Sequence, residues 1–246
     1  MDRLIYTAMT GAQHILDQQA SVANNLANAT STGFKAQIDS FKAMPIKGGQ
    51  LETRTFAVSG DSGIDFKSGG IEKTGATFDV AVQGQGWFSV QRANGTEGLT
   101  RNGNFKVSEN GILQTASGLS VMGDGGPVTI PPNTTVEIGA DGTISGSTDG
   151  QKPVTITVLG RLKLVNPPEV DIVRGADGLF DLKTGASAPV DANVRVVQGA
   201  IEASNVSLVQ SMVNMIALAR EFDMHMKILQ GAEGNDSKAS QLMQLG

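Results

Sequence analysis

The stretch Leu208-Val209-Gln210-Ser211-Met212-Val213-Asn214-Met215-Ile216-Ala217-Leu218-Ala219-Arg220-Glu221-Phe222-Asp223-Met224-His225-Met226-Lys227-Ile228-Leu229 decides the fold. Taken in alternating steps of four and three, it yields Leu208, Met212, Met215, Ala219, Phe222, Met226 and Leu229. That spacing is an apolar seam of the kind that makes one helix supercoil against another. Gln210, Asn214, Arg220, Glu221 and Lys227 fall off the seam, and no Gly or Pro breaks it. The N-terminus repeats the rhythm with Ile5, Met9, Ala12, Leu16, Gln19, Ala23 and Leu26, predicting a first helix over 3–28. A seamed helix therefore lies at each end of the chain, and everything between them is patterned differently.

That middle carries the alternation of strands. From about 76 to 200 the chain reads as one antiparallel β domain, with Phe78, Val80 and Val82 alternating and Leu99, Phe105 and Val107 following. Asn110-Gly111, Asp141-Gly142 and Asp177-Gly178 are hairpin candidates, because these pairs favour the type I′ turns whose twist suits paired strands. Val154-Thr155-Ile156-Thr157-Val158, between Pro153 and Gly160, is the cleanest strand. No helical pattern alternates with these runs, which argues against a parallel α/β sheet. Residues 36–75 read as a connector, with loop signals at Gly48-Gly49, 59–63 and 68–70. The expected division is 1–35, N-terminal helix; 36–75, connector; 76–200, β domain; and 201–246, C-terminal helix with an N-cap at Ser204 or Asn205. Gly33 is expected to close the first helix in a left-handed conformation, with Phe34 packing back.

The bulk composition removes several function classes. A net charge of −5 offers no basic surface for nucleic acid or anionic lipid. The absence of cysteine rules out disulfides and thiolate chemistry. The run 206–219 contains Ser207, Gln210, Ser211 and Asn214 and falls short of a membrane span. Met1-Asp2-Arg3-Leu4-Ile5-Tyr6 lacks the basic and apolar regions of a secretory signal, so any export is expected without a cleaved leader.

Catalytic material is equally scarce. The two histidines, His14 and His225, sit one on each terminal helix and make no ligand cluster, so no metal site is expected. Gly84-Gln85-Gly86 is followed by Trp87-Phe88 with no helix pattern behind it, which does not suit a nucleotide loop. Asp61, Asp65, Asp124, Asp141 and Asp177 read as turn formers, and Trp87 as a core residue beside Phe88. The reading is of a non-enzyme that needs no cofactor.

The helices point instead to assembly. Leu4, Ile15, Val22, Val209, Val213 and Ile216 flank the seams and also need apolar company. One seam against one partner leaves these uncovered, so we expect helices packed on several sides by other subunits. Met1, Met9, Met212, Met215, Met224, Met226 and Met243 lie in the terminal segments, where adaptable side chains suit non-identical neighbours.

Ala23-Asn24-Asn25-Leu26-Ala27-Asn28, followed by Thr32-Gly33-Phe34-Lys35, resembles the signature of the flagellar rod, hook and hook-associated axial proteins. The stretch 199–206 (Gly-Ala-Ile-Glu-Ala-Ser-Asn-Val), with Met212–Ile216 and Arg220-Glu221-Phe222, resembles that family's other end. Residues 83–88 and 99–105 are similar to it as well, and the opening nine residues look most like its proximal rod members. Thr30 and Ser31 depart mildly from the pattern, standing where Asn and Thr are frequent. The resemblance implies an α+β fold in which the N- and C-terminal helices pair as a coiled-coil inner domain and the antiparallel all-β domain lies outside. It marks Asn24, Asn25, Leu26, Asn28, Gly33, Phe34, Glu202, Ser204 and Asn205 as motif residues. The partners it implies are copies of the chain, the other rod proteins below and above, and the flagellar export apparatus. The location it implies is the periplasmic rod of the basal body, with torque transmitted along the helices. The competing expectations are a distal rod or other flagellar axial protein, a secreted β-domain binding protein on a helical stalk, and an extracellular hydrolase with a carboxylate pair in a cleft.

Overall fold

In the computed structural model, residues 2–39, 41–45, 55–59, 63–148 and 156–244 are described. The fold is α+β and divides into two compact units. One holds Met1–Ala29, Ala36–Asp65 and Val206–Gly246; the other holds Thr30–Lys35 and Phe66–Asn205.

The first unit contains the long helices α1, Asp2–Ala27, and α2, Leu208–Gln244. Two small ladders accompany them, Phe41–Pro45 with Thr55–Ser59 and Gln37–Ile38 with Gly63–Ile64. Helix α1 ends where Asn28 N–H returns to the Asn24 carbonyl at 3.1 Å and Ala29 N–H returns to the Leu26 carbonyl at 3.2 Å. The Asn28 side chain also donates to the Asn24 carbonyl, at 2.9 Å, and so occupies an acceptor the helix leaves open. Gly33 is therefore not the residue that stops α1; the helix is finished before it is reached. The N-cap of α2 is also displaced from the expected position. Ser207 accepts the Gln210 N–H on its hydroxyl at 3.4 Å, whereas Asn205 is engaged elsewhere.

In the second unit a nine-stranded antiparallel sheet runs in the order Ile172–Arg174, Phe180–Leu182, Glu97–Thr100, Trp87–Gln91, Ser120–Gly123, Leu113–Thr115, Phe105–Val107. Gly126–Pro127 and Leu164–Val165 join it off that path. A three-stranded sheet is built from Thr134–Ile138, Thr143–Thr148 and Ile156–Arg161. Of the cleanest strand read from sequence, positions 154 and 155 lie outside the described residues, and Ile156 onward is strand. Val80–Gln83 pairs with Arg195–Gln198, and Ile71–Lys73 with Ala200–Glu202. The core of this unit is built on Phe88, Phe105, Leu113, Ile144, Leu162 and Leu164. Trp87 and Phe88 are both buried, pointing to opposite faces as neighbours on a strand must.

The hairpins share one turn, and it is not the expected type I′. In 92–96, 108–112, 115–119, 139–143 and 175–179 the first residue's N–H bonds the fifth residue's carbonyl, and the fourth residue's N–H returns to the first carbonyl. The fourth residue is always glycine with positive φ: Gly95 84°, Gly111 77°, Gly118 87°, Gly142 84° and Gly178 81°. Asn110, Asp141 and Asp177 keep negative φ, since Asn133 is the one non-glycine with positive φ among the described residues. This is a three-residue loop with a left-handed glycine bulge, which needs only one residue in that region where type I′ needs two. Asn94-Gly95 and Ser117-Gly118 are two such loops in addition to the three read from sequence.

Candidate functional site

The two terminal motifs meet inside the β unit. Gly33-Phe34-Lys35 enters it and Glu202 to Asn205 leaves it, and both are tied to strand-region residues. Gly33 adopts φ +68° and its N–H donates to the Glu202 carbonyl at 2.7 Å. A Cβ at this position would stand 2.4 Å from the Arg101 carbonyl carbon. Gly33→Ala therefore combines left-handed strain with a backbone clash, and about 3 kcal/mol or more of destabilisation is expected in denaturant unfolding.

Beneath that turn lies a buried ion cluster. Lys35 Nζ donates to Glu202 Oε1 at 2.7 Å, and Arg101 Nη1 donates to Glu202 Oε2 at 3.0 Å. The three side chains are 0, 3 and 1% exposed for Lys35, Arg101 and Glu202. The remaining polar capacity is largely taken by backbone. Lys35 reaches the Lys67 carbonyl at 2.8 Å, Arg101 Nη2 reaches the Gly84 carbonyl at 2.6 Å, and Gly69 N–H donates to Glu202 Oε1 at 3.0 Å. Burial pushes the Arg101 pKa below its ordinary value, and Glu202 opposes that shift. Two cations and one carboxylate at these exposures are tenable only as a set, because each desolvated charge needs the others.

Aromatic rings wall the cluster. Arg101 lies over Trp87, its guanidinium carbon 5.3 Å from the ring centroid. Trp87 in turn packs against Phe66 and Phe180 at centroid separations of 6.2 and 4.7 Å. Phe34 is buried and covered by the Arg174 guanidinium at 4.3 Å. Asn205 closes the exit: its N–H donates to the Phe34 carbonyl at 3.3 Å, and its side chain donates to the Lys67 carbonyl at 3.1 Å. With both cations held on the one carboxylate and all three side chains buried, the arrangement offers no open nucleophile or acid to a substrate. It acts as a joint that ties residues 33–35 to residues 202–205 within the β unit.

The motif residues thus have distinct tasks. Gly33, Phe34, Glu202 and Asn205 build the joint. Asn25 works within the helical unit, where its amide makes a two-way pair with the Gln37 backbone, 2.8 Å in each direction, and so imitates a neighbouring strand. Asn24 supplies its carbonyl to Asn28, Leu26 is half-buried, and Ser204 is half-buried next to the joint. Lys35 and Arg101, which sequence reading did not rank as site residues, complete the cluster. The available signal was a charge inside each motif, Lys35 after Gly33-Phe34 and Arg101 between Thr100 and Asn102.

The seam residues fall in two classes. On α2 the side sheltered in the single chain is Ser211, Met215, Leu218, Phe222, His225, Leu229 and Ala232, again in steps of four and three. Met215, Phe222 and Leu229 belong to it, while Leu208, Met212, Ala219 and Met226 are exposed one line away. On α1, Ala8, Ala12 and Ile15 are buried and Gly11 is half-buried, whereas Met9, Leu16 and Ala23 are exposed. The side chain of Ile5 lies outside the described residues. Small residues line the sheltered side of α1: a Cβ on Gly11 would stand 2.8 Å from His225 Cε1, so glycine there admits the imidazole ring. The outer side of α2 carries Val209, Met212, Val213, Ile216, Met224, Met226 and Ile228, all exposed.

A second polar cluster in the β unit borders a cavity of about 260 Å³ lined by Arg92, Glu97, Phe180, Asp181 and Ser187. Arg92 is paired to Asp177 and Asp181, and Lys163 to Glu97 at 2.7 Å. Burial alone would raise the Glu97 pKa, but hydrogen bonds from Lys163, Ser187 and Ser89 hold it below the ordinary carboxylate value. A depressed folded-state pKa stabilises above the ordinary value, and that stabilisation is lost as pH falls through the folded value. The β unit is therefore expected to lose stability on acidification through the carboxylate range. Lys163→Met should flatten that dependence and cost about 1 kcal/mol near neutral pH, as followed by thermal unfolding at several pH values.

Residues 81–146 match the family described as flagellar hook protein FlgE/F/G D1 domain, and residues 197–242 match the flagellar basal body rod FlgEFG protein C-terminal family. A β unit joined to both chain ends, with a long helix at each, is thus of the class of flagellar hook and rod proteins. Over 100% of both chains it is 43% identical to flagellar basal-body rod protein FlgF of Salmonella typhimurium and 42% identical to that of Escherichia coli. It is 29% identical to flagellar basal-body rod protein FlgG of Buchnera aphidicola subsp. Schizaphis graminum, over 90% of this chain and 92% of that one. The chain belongs to the flagellar basal-body rod protein FlgF family.

Proposed function

We propose that this chain is a structural subunit of the proximal part of the flagellar basal-body rod. The observation that carries this is the uncovered apolar side of α2, from Val209 through Met212, Val213 and Ile216 to Ile228. Apolar surface of that length on a helix is stabilised only by removal from water, and neighbouring subunits supply the cover. In the assembled tube α1 and α2 pair as a coiled coil, with the sheltered 4–3 stripe of each helix turned to the other and the Met212–Met226 line turned to other subunits. The helices line an axial channel, and torque passes along them to the hook. The buried joint around Glu202 supports this role, because it ties the segment entering the β unit to the segment leaving it. Partners are other copies of the chain, the neighbouring proximal rod subunits and the distal rod protein, met in the periplasmic rod of the basal body and supplied by the flagellar export apparatus. The role requires no catalysis.

The test is deletion of this chain from its host, followed by imaging of purified basal bodies. The expected result is non-motile cells with rods truncated before the hook, restored by the full chain. Complete rods in the deletion strain would rule the proposal out.

A further inference from the structure

Arg174 is a half-buried cation that holds no acid among the described residues. Its guanidinium carbon lies 4.3 Å from the Phe34 ring centroid and 5.6 Å from that of Phe180, and Nη1 donates to the Lys35 carbonyl at 3.2 Å. No carboxylate pairs with it among the described residues, whereas Arg101 and Lys163 each hold one and Arg92 holds two. Burial consequently pushes its pKa below the ordinary value with no opposing charge. The surroundings are equally unfinished. Ile172–Arg174 is the outer strand of the nine-stranded sheet, and no strand among the described residues pairs with its far edge. Val173 and, just before the strand, Val170 are 37 and 74% exposed.

We propose that this edge receives a strand of a second copy of the chain, whose alternating side chains place a carboxylate on the Arg174 fork on one face of the sheet and an apolar contact at Val173 on the other. The proposal rests on the rod-subunit reading. A guanidinium packed against two rings presents its remaining N–H groups in a fixed plane, the geometry that a carboxylate satisfies in bidentate fashion. In a helical array every copy shows the same surfaces, so the acid must be one that this chain leaves exposed and unpaired. With a net charge of −5 the chain has such acids. Glu72 is one: it is exposed, carries no ion pair among the described residues, and lies on Ile71–Lys73, a strand paired on one side only, beside the exposed Ile71. Different surfaces meeting head to tail make a heterologous contact, which propagates as an open helix rather than closing as a dimer.

The experiment places the photo-crosslinker p-benzoylphenylalanine at position 173 of the full chain in the deletion strain and irradiates purified basal bodies. The expected product is a covalent pair of two copies, with the linked peptide of the second copy containing Asp or Glu. Linkage only to a different protein, or no linkage from a chain present in the basal bodies, overturns the proposal. A chain absent from basal bodies even when unmodified overturns the rod reading itself. Arg174→Gln provides an independent reading. Incorporation should fall about tenfold, and Arg174→Lys should restore only part of it, because an ammonium lacks the planar fork. The purified Gln variant also loses the ring contacts with Phe34 and Phe180, so it should melt about 2–4 °C lower yet remain folded at the growth temperature. Unchanged incorporation of a chain that is folded at the growth temperature, or a loss that comes with unfolding at that temperature, contradicts an interface role.

Discussion

Glu202→Gln is expected to destabilise the β unit by about 3–5 kcal/mol, the range seen when one partner is removed from a buried ion cluster. The substitution keeps the shape and one acceptor but leaves Lys35 and Arg101 facing each other's charge, both almost wholly buried, with no anion between them. Water cannot reach them, so the desolvation that Glu202 offsets stands uncompensated. Trp87 is the single tryptophan and stacks under Arg101, so its fluorescence reports on the joint during denaturant unfolding. Replacing the whole set, Lys35→Met with Arg101→Met and Glu202→Leu, should recover most of the loss, since apolar side chains of similar volume need no counter-charge. A Glu202→Gln variant within 1 kcal/mol of the parent, on the order of an exposed pair, would mean that the cluster is hydrated and not the joint described.

Ile216→Asp is expected to abolish rod incorporation while leaving the isolated chain as stable as the parent, within about 0.5 kcal/mol. Ile216 is 55% exposed in the single chain, so a carboxylate there meets water until a neighbouring helix covers it. At that moment it becomes an unpaired buried charge, costing several kcal/mol in every subunit of the array. Met215→Asp and Phe222→Asp should also stop incorporation, but these positions are half-buried on the sheltered side, so the isolated chain would suffer too. Unfolding of the purified Ile216→Asp chain, set beside recovery of basal bodies from cells expressing it, separates the two effects. Normal motility would show that this side of α2 is not an interface.

The helices, the antiparallel β region and the family were legible because their signals are local: a spacing, an alternation, a short motif. The turn geometry was legible only in part. Asn-Gly and Asp-Gly announce a hairpin, but whether one or both residues take positive φ depends on loop length, set by strand pairing farther away. Gly33 is a similar case: its left-handed conformation was readable, yet its purpose is the close approach of the Arg101 backbone, far along the chain. The helix seams show a third kind of limit. A line such as Leu208, Met212, Ala219 and Met226 marks an apolar face, but two adjacent lines on α2 are apolar enough to serve. Small residues on α1, above all Gly11 opposite His225, go with the sheltering of the neighbouring line. The ion cluster was the least legible, because Lys35 and Glu202 stand 167 residues apart and a lone charge in a motif reads as surface.

The central claim is that the outer side of α2 is completed by other subunits. A density map of the purified basal body at side-chain resolution tests it most directly. The account predicts that Val209, Met212, Val213 and Ile216 of each copy are buried against helices of adjacent subunits in the rod wall. A map in which those side chains face open solvent or the empty channel would contradict it.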